Sequence, residues 1–252
     1  MLQQDVINVI EEFAPIETQL RYDHCGLKTG DPKKTLTGVL VCLDLAPIIV
    51  EEAEKKNCNL IIEHHPSVWG AWSMIDVKYP KVKALIDATN KGITVYSAHT
   101  NIDFAKGGLN DYFAEQIGLK HAESAEEGRV GNLEKETDLY EYAGFIAKSI
   151  GEKYVKVIPG NKKTVKKVAC INGAGGGDEQ TIIRFAENSD VFVTSEVKYN
   201  VARLSKDLGY AIIEVGHFTS EKGFMPLIKR LLTEKLPGIT VFETDCDQNP
   251  YQ

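Results

Sequence analysis

Apolar positions along the chain alternate between short dense runs and longer stretches where they recur every three or four residues. Val6, Ile7, Val9, Ile10 and Phe13 share one helical face, and Pro15 ends that helix. Residues 37–43 read as a buried strand, and Pro47 suits the first turn of a short helix through Ile48, Ile49 and Ala53. A second apolar run at 59–63 closes in His64-His65, after which Pro66, Trp69 and Gly70 break regular structure. Val82, Leu85 and Ile86 mark a helix, residues 92–98 a third strand ending at His99, and Leu109, Tyr112, Phe113 and Ile117 an amphipathic helix. Strands alternating with helices over short connections predict an α/β sheet with parallel strands.

The acidic, Gly-containing stretch 121–135 reads as the divide between two domains, 1–125 and 126–252, with a C-terminal segment that can pack on the first half. A helix over 139–150 and a strand over 154–158 follow. Then the pattern repeats: 168–172 echoes 40–44, 190–196 echoes 59–65, and 209–216 leads to His217 as 92–98 leads to His99. The fold predicted is therefore two similar α/β domains, an internal duplication, with largely parallel or mixed sheets flanked by helices. A helix at 224–232 and a strand at 239–243 complete the chain.

Composition narrows the class. The 252 residues are 43% apolar and 26% charged, ordinary for a globular protein with a sizeable core. No apolar run approaches the about 18 residues of a membrane span, and the start lacks the basic region of a signal peptide. A net charge of −7 without a Lys/Arg block disfavours a nucleic-acid surface. Five scattered cysteines without C-x-x-C point to a reduced, cytoplasmic protein.

The chemistry gathers at predicted strand ends. His99-x-x-x-Asp103 and His217-x-x-x-Glu221 follow matching strands, and residues four apart share a helical face. With His64-His65 and Ser195-Glu196, four strand ends carry imidazoles or carboxylates, where ligands of open α/β sheets gather. Such donors suit Zn²⁺, Mn²⁺, Fe²⁺ or Co²⁺, and point to two divalent metal ions with water between them. The bland alternative is helix caps and hydrogen-bonded buried histidines, and for His24 and His121 taken singly it leads. Asp23 and His24 stand equally well as site residues or as a capping loop. The 173–177 glycine run reads as a phosphate cradle or a tight turn, and Trp69 and Trp72 as an aromatic wall or loop packing.

Several stretches together resemble one family: Tyr-Asp-His-Cys-Gly-Leu-Lys-Thr-Gly (22–30), Glu-His-His-Pro (63–66), Ser-Ala-His-Thr-Asn-Ile-Asp (97–103), Gly-Gly-Leu-Asn-Asp (107–111), Gly-Arg-Val-Gly-Asn-Leu (128–133) and Val-Gly-His-Phe-Thr-Ser-Glu (215–221). This is the NIF-three-like (YbgI-type) family, whose members are often called GTP cyclohydrolase I type 2-like. The resemblance implies a dinuclear metal site with ligands His64, His65, Asp103, His217 and Glu221, Glu221 bridging and His99 nearby. It also implies a toroidal homohexamer. The chain departs from the family at Tyr22 and His24, where Trp and Asn are usual, and at Ser195, where Gly is common.

The leading expectation is a metal-dependent hydrolase of a small, nucleotide-like substrate, with His99, Glu196 or His24 handling protons. A non-catalytic metal-binding protein (chaperone, store or regulatory scaffold) is the second reading. Nucleic-acid binding is a disfavoured third.

Overall fold

A computed structural model describes residues 1–251. The chain forms two compact units, Met1–Ala105 together with the chain from Phe224 onward, and Lys106–Gly223. The first opens with α1 (Gln3–Phe13), β1 (Gly26–Thr29), β2 (Val39–Asp44), α2 (Pro47–Lys55), β3 (Leu60–His65), α3 (Pro80–Asn90), β4 (Thr94–Ser97) and α4 (Thr100–Phe104). The second unit holds α5 (Leu109–Gln116), β5 (Lys120–Ala125), β6 (Gly128–Asp138), α6 (Leu139–Ile150), β7 (Lys156–Ile158), β8 (Thr164–Cys170), α7 (Glu179–Asn188), β9 (Val191–Thr194), α8 (Tyr199–Leu208), β10 (Ala211–Glu214) and α9 (His217–Glu221). The chain then returns to the first unit with α10 (Phe224–Lys235) and β11 (Val241–Glu243).

In the first unit the strand order is β1-β4-β3-β2-β11, all parallel except β1. Strands β2 and β3 are buried along nearly their whole length, so β2 is a continuous apolar run to Leu43 and β3 opens on Leu60-Ile61-Ile62 rather than alternating. Leu40, Ile61 and Val95 meet Ile49 and Ala53 of α2 and Leu85 of α3 in the core. Pro47 and Pro80 occupy first turns, where a missing N–H costs no helical bond.

The second unit orders its strands β5-β6-β8-β9-β10-β7, with β8, β9 and β10 parallel and the others antiparallel. The duplication is visible in the topology: β1-β4-β3-β2 and β7-β10-β9-β8 have the same order, each with an antiparallel edge strand that precedes the parallel three. Both units are mixed α/β sheets flanked by helices.

The boundaries differ from the expected 125/126 division. The 121–135 stretch is no connector: it lies within the hairpin β5–β6, and the units divide after Ala105. The hairpin's exposed residues are mostly polar or charged, which hides its anchors. Chief among these is Arg129, buried and donating to both carboxylate oxygens of Asp111. At the other end of the chain, β11 takes the parallel place beside β2. Among the described residues no helix is long and apolar enough to cross a membrane.

Candidate metal centre

In the first unit, parallel pairing brings the carboxyl ends of β2, β3 and β4 to one side of the sheet. The register sets Asp44 opposite His65 and Glu63 opposite Ser97. His64, fully buried, has Nδ1 2.9 Å from the Ala98 carbonyl oxygen. Nδ1 of His65 lies 3.1 Å from Asp44 Oδ2, and Nδ1 of His99 lies 2.9 Å from each oxygen of Asp23. The three rings cluster with centroids 5.0–5.7 Å apart, and each offers a nitrogen within 4.8 Å of those of the other two. Asp103, on α4, places Oδ1 3.8 Å from His64 Nε2. His99 therefore takes Asp23 as its hydrogen-bonded carboxylate, while Asp103 faces His64.

These contacts fix a chemical state. Carbonyl and carboxylate oxygens accept only, so each Nδ1 carries the proton and each Nε2 keeps its lone pair in the neutral ring. The carboxylates are secured in turn. Burial raises the Asp23 carboxyl, but hydrogen bonds from His99, Thr100 and the His24 N–H outweigh it and hold the group well below the usual range. Asp44 is likewise pulled down by His65 and Lys81 against its burial. Burial pushes Glu63 up, opposed by the Ser97 hydroxyl and by the N–H and hydroxyl of Ser67. Glu63 thus ties the loop after His65 to the sheet.

The second unit has its own cluster. His217 opens α9, with Nδ1 2.8 Å from Glu196 Oε1 and Nε2 2.9 Å from Oε2 of the buried Glu221. Glu196, just past β9, adopts a left-handed φ of 55°. Gly173 has φ +60°, and a Cβ there would lie 2.1 Å from Glu221 Oε1, so only glycine leaves room for the carboxylate. The glycine run is otherwise a packing device. Its N–H groups at 173, 176 and 177 donate to Ser220 Oγ, Ser195 O and Ala174 O, and a Cβ at Gly175 would strike Ile171. Of the two readings of that run, the tight turn accounts for these contacts.

The structure thus gathers His64, His65, His99 and Asp103 in one unit, and His217, Glu221 and Glu196 in the other. His24 joins neither cluster: its N–H donates to Asp23, and its exposed ring stands edge-on to Trp69 at 5.4 Å. His121 is exposed on the β5–β6 hairpin. Sequence reasoning weighed Asp23 only beside His24 and missed Asp44, whose one signal is its place at the end of the Val39–Asp44 run.

The donor set fits a divalent ion of borderline softness. Imidazole Nε2 atoms are held by oxygen acceptors on the far nitrogen, carboxylates stand beside them, and Gly173 makes space for one of these. Thiolate takes no part. Cys25 is nearest in sequence to Asp23, and its thiol contacts Asn101 and is pushed by burial to about 12.

Comparison with known proteins gives this arrangement a lineage. A family model described as Duf34/NIF3 (NGG1p interacting factor 3) matches residues 1–250. A Clostridium perfringens protein named GTP cyclohydrolase 1 type 2 homolog is 31% identical over 254 residues, covering 96% of this chain and 95% of its own. NGG1-interacting factor 3 of Saccharomyces cerevisiae is 27% identical over 236 residues, covering 84% and 80%. A Bacillus cereus protein related to NIF3 shares the fold, with a TM-score of 0.88 at 20% identity over 100% and 99% of the two chains. Reduced HcgD from Methanocaldococcus jannaschii superposes with a TM-score of 0.83 at 28% identity over 97% and 98%. With paired imidazole–carboxylate clusters at equivalent strand ends and a match along nearly its whole length, the chain belongs to the Duf34/NIF3 family.

Proposed function

We propose that this chain is a dinuclear metal-dependent hydrolase of a small, nucleotide-like substrate, working in the cytoplasm as a closed homo-oligomeric ring. One observation carries the reading: His64, His65, His99 and His217 each give Nδ1 to an oxygen and turn Nε2 to other work. His64, His65, Asp103, His217 and Glu221 would hold two divalent ions, Zn, Fe, Mn or Co. When bound, such ions supply the Lewis acidity that makes water a nucleophile near neutral pH.

The remaining residues move or hold protons. His99, backed by Asp23 at 2.9 Å, exchanges a proton with the substrate through Nε2 while the carboxylate stabilises the charged ring. Glu196 orients His217 rather than acting on substrate directly, and His24 acts through Trp69, to which its ring stands edge-on. Relatives named GTP cyclohydrolase 1 type 2 homolog make GTP the first nucleotide to test.

The test is metal content per chain of untagged protein, with turnover of GTP and other nucleotides before and after chelation. About two ions per chain, with turnover lost on chelation and in Glu221→Ala, support the enzyme. No metal even after reconstitution overturns it. Two ions without turnover across the panel favour a non-catalytic metal protein acting through partners, a reading that the yeast relative's name, NGG1-interacting factor 3, keeps open.

A further inference from the structure

Both tryptophans of the chain, Trp69 and Trp72, lie on the loop between β3 and α3, directly after His65. That loop encloses an open cavity of about 570 Å³ whose walls include Pro66, Trp69, Trp72, Met74, Tyr79 and Val82. The volume falls in the range of small-molecule sites, and the lining is mostly apolar. Yet the rings are not core: Trp69 is 49% and Tyr79 60% exposed. The loop does not hang free, because Ser67 is tied through its N–H and hydroxyl to the buried Glu63.

One wall residue of the cavity, Trp69, also touches the imidazole cluster. The Trp69 ring stands edge-on to His99 at 5.8 Å and to His24 at 5.4 Å, with Tyr22 at 6.4 Å. Lys81 lines the cavity and places Nζ 3.2 Å from Asp44 Oδ1, the carboxylate that holds His65. A flat ring entering between these aromatic walls would be held by stacking, which any heteroaromatic base can make because each has a π-face.

We propose that this loop is the recognition pocket for the heteroaromatic base of the substrate, with Trp69 as the stacking face and His24 as the positioning residue that sets its angle. The proposal rests on the nucleotide-like substrate of the preceding reading and adds which residues select it. His24 braces the indole with the edge of its own ring, a contact that an amide side chain would not make.

Because the chain has only these two tryptophans, its indole fluorescence reports on this loop alone. Full-length protein, as purified, is titrated with the monophosphates of guanosine, adenosine, cytidine and uridine, and with ribose 5-phosphate, with calorimetry in parallel. At least one nucleotide is expected to give a saturable change that ribose 5-phosphate does not. Trp69→Ala should weaken that binding roughly tenfold or more, while Trp69→Phe stays within a few fold. His24→Asn should weaken it several-fold and His24→Phe restore it, which a merely structural role would not produce. The proposal is overturned if no nucleotide binds, if ribose 5-phosphate binds as well, or if Trp69→Ala binds undiminished. It is also overturned if Trp69→Ala changes only the oligomeric state, which would make the patch a contact between copies. Metal content is read separately, so a failed pocket with two ions bound differs from a failed metal centre with the base still bound.

Discussion

An imidazole offers one nitrogen to a metal only if something else decides which one. Asp44 makes that decision for His65 and Asp23 for His99. Asp44→Asn is therefore expected to lower metal affinity roughly 10–100-fold, measured by competition with a chromophoric chelator, while the far-ultraviolet circular dichroism stays native. Gly173→Ala tests the other unit. The added methyl meets Glu221 Oε1 at 2.1 Å in a backbone conformation that disfavours side chains by about 1–2 kcal/mol. The carboxylate must swing away, so this variant should bind less metal than the parent although no donor atom is removed. The histidines and Glu221 were legible in the sequence because strand ends and i, i+4 spacing are local properties. Asp44 was not, because its role depends on which strand lies beside it.

At the scale of elements, the tail after β11 acts as a clamp on β2. Asp247 Oδ2 accepts the N–H groups of Leu43 and Asp44 at 2.6 and 3.1 Å, just where β2 delivers Asp44 to His65. Asp247→Ala leaves two strand-end donors without that acceptor, and should cost about 1–3 kcal/mol in denaturant unfolding. Glu52 of α2 binds the same segment through the Thr244 hydroxyl and the Asp245 N–H, and pairs with Lys56. Burial raises its carboxyl, but the bonds from Lys56 and Thr244 prevail and bring it to about 2, below the ordinary 4.5. A depressed folded value means stability that is present above pH 4.5 and lost as pH falls toward 2. Glu52→Gln should therefore flatten the fall of Tm across that window. The hairpin β5–β6 shows how an element escapes a sequence reading. Its charged exposed residues resemble a linker, and its anchor, the Arg129–Asp111 pair, joins residues 18 apart.

For the whole molecule, the duplicated topology gives each unit a parallel three-stranded core with an antiparallel edge strand. The proposed ring predicts a native mass of six times 27.9 kDa, and native mass spectrometry showing only monomer would remove the oligomer from the proposal. With a net charge of −7, any weak retention on nucleic acid should vanish at moderate salt. The sequence by itself determined the α/β class, the duplication, the parallel strands of each half with the helices between them, and the strand ends that carry imidazole and carboxylate, but not the edge strand β1 or the β5–β6 hairpin. The features it determined follow from hydrophobic periodicity and breakers, which act over a few residues. Tertiary structure decided where the units divide, that the C-terminal segment completes the first sheet, and which acceptor holds each histidine. Asp23 meets His99 across 76 residues and Asp44 meets His65 across 21, separations that only strand register and loop closure can bridge.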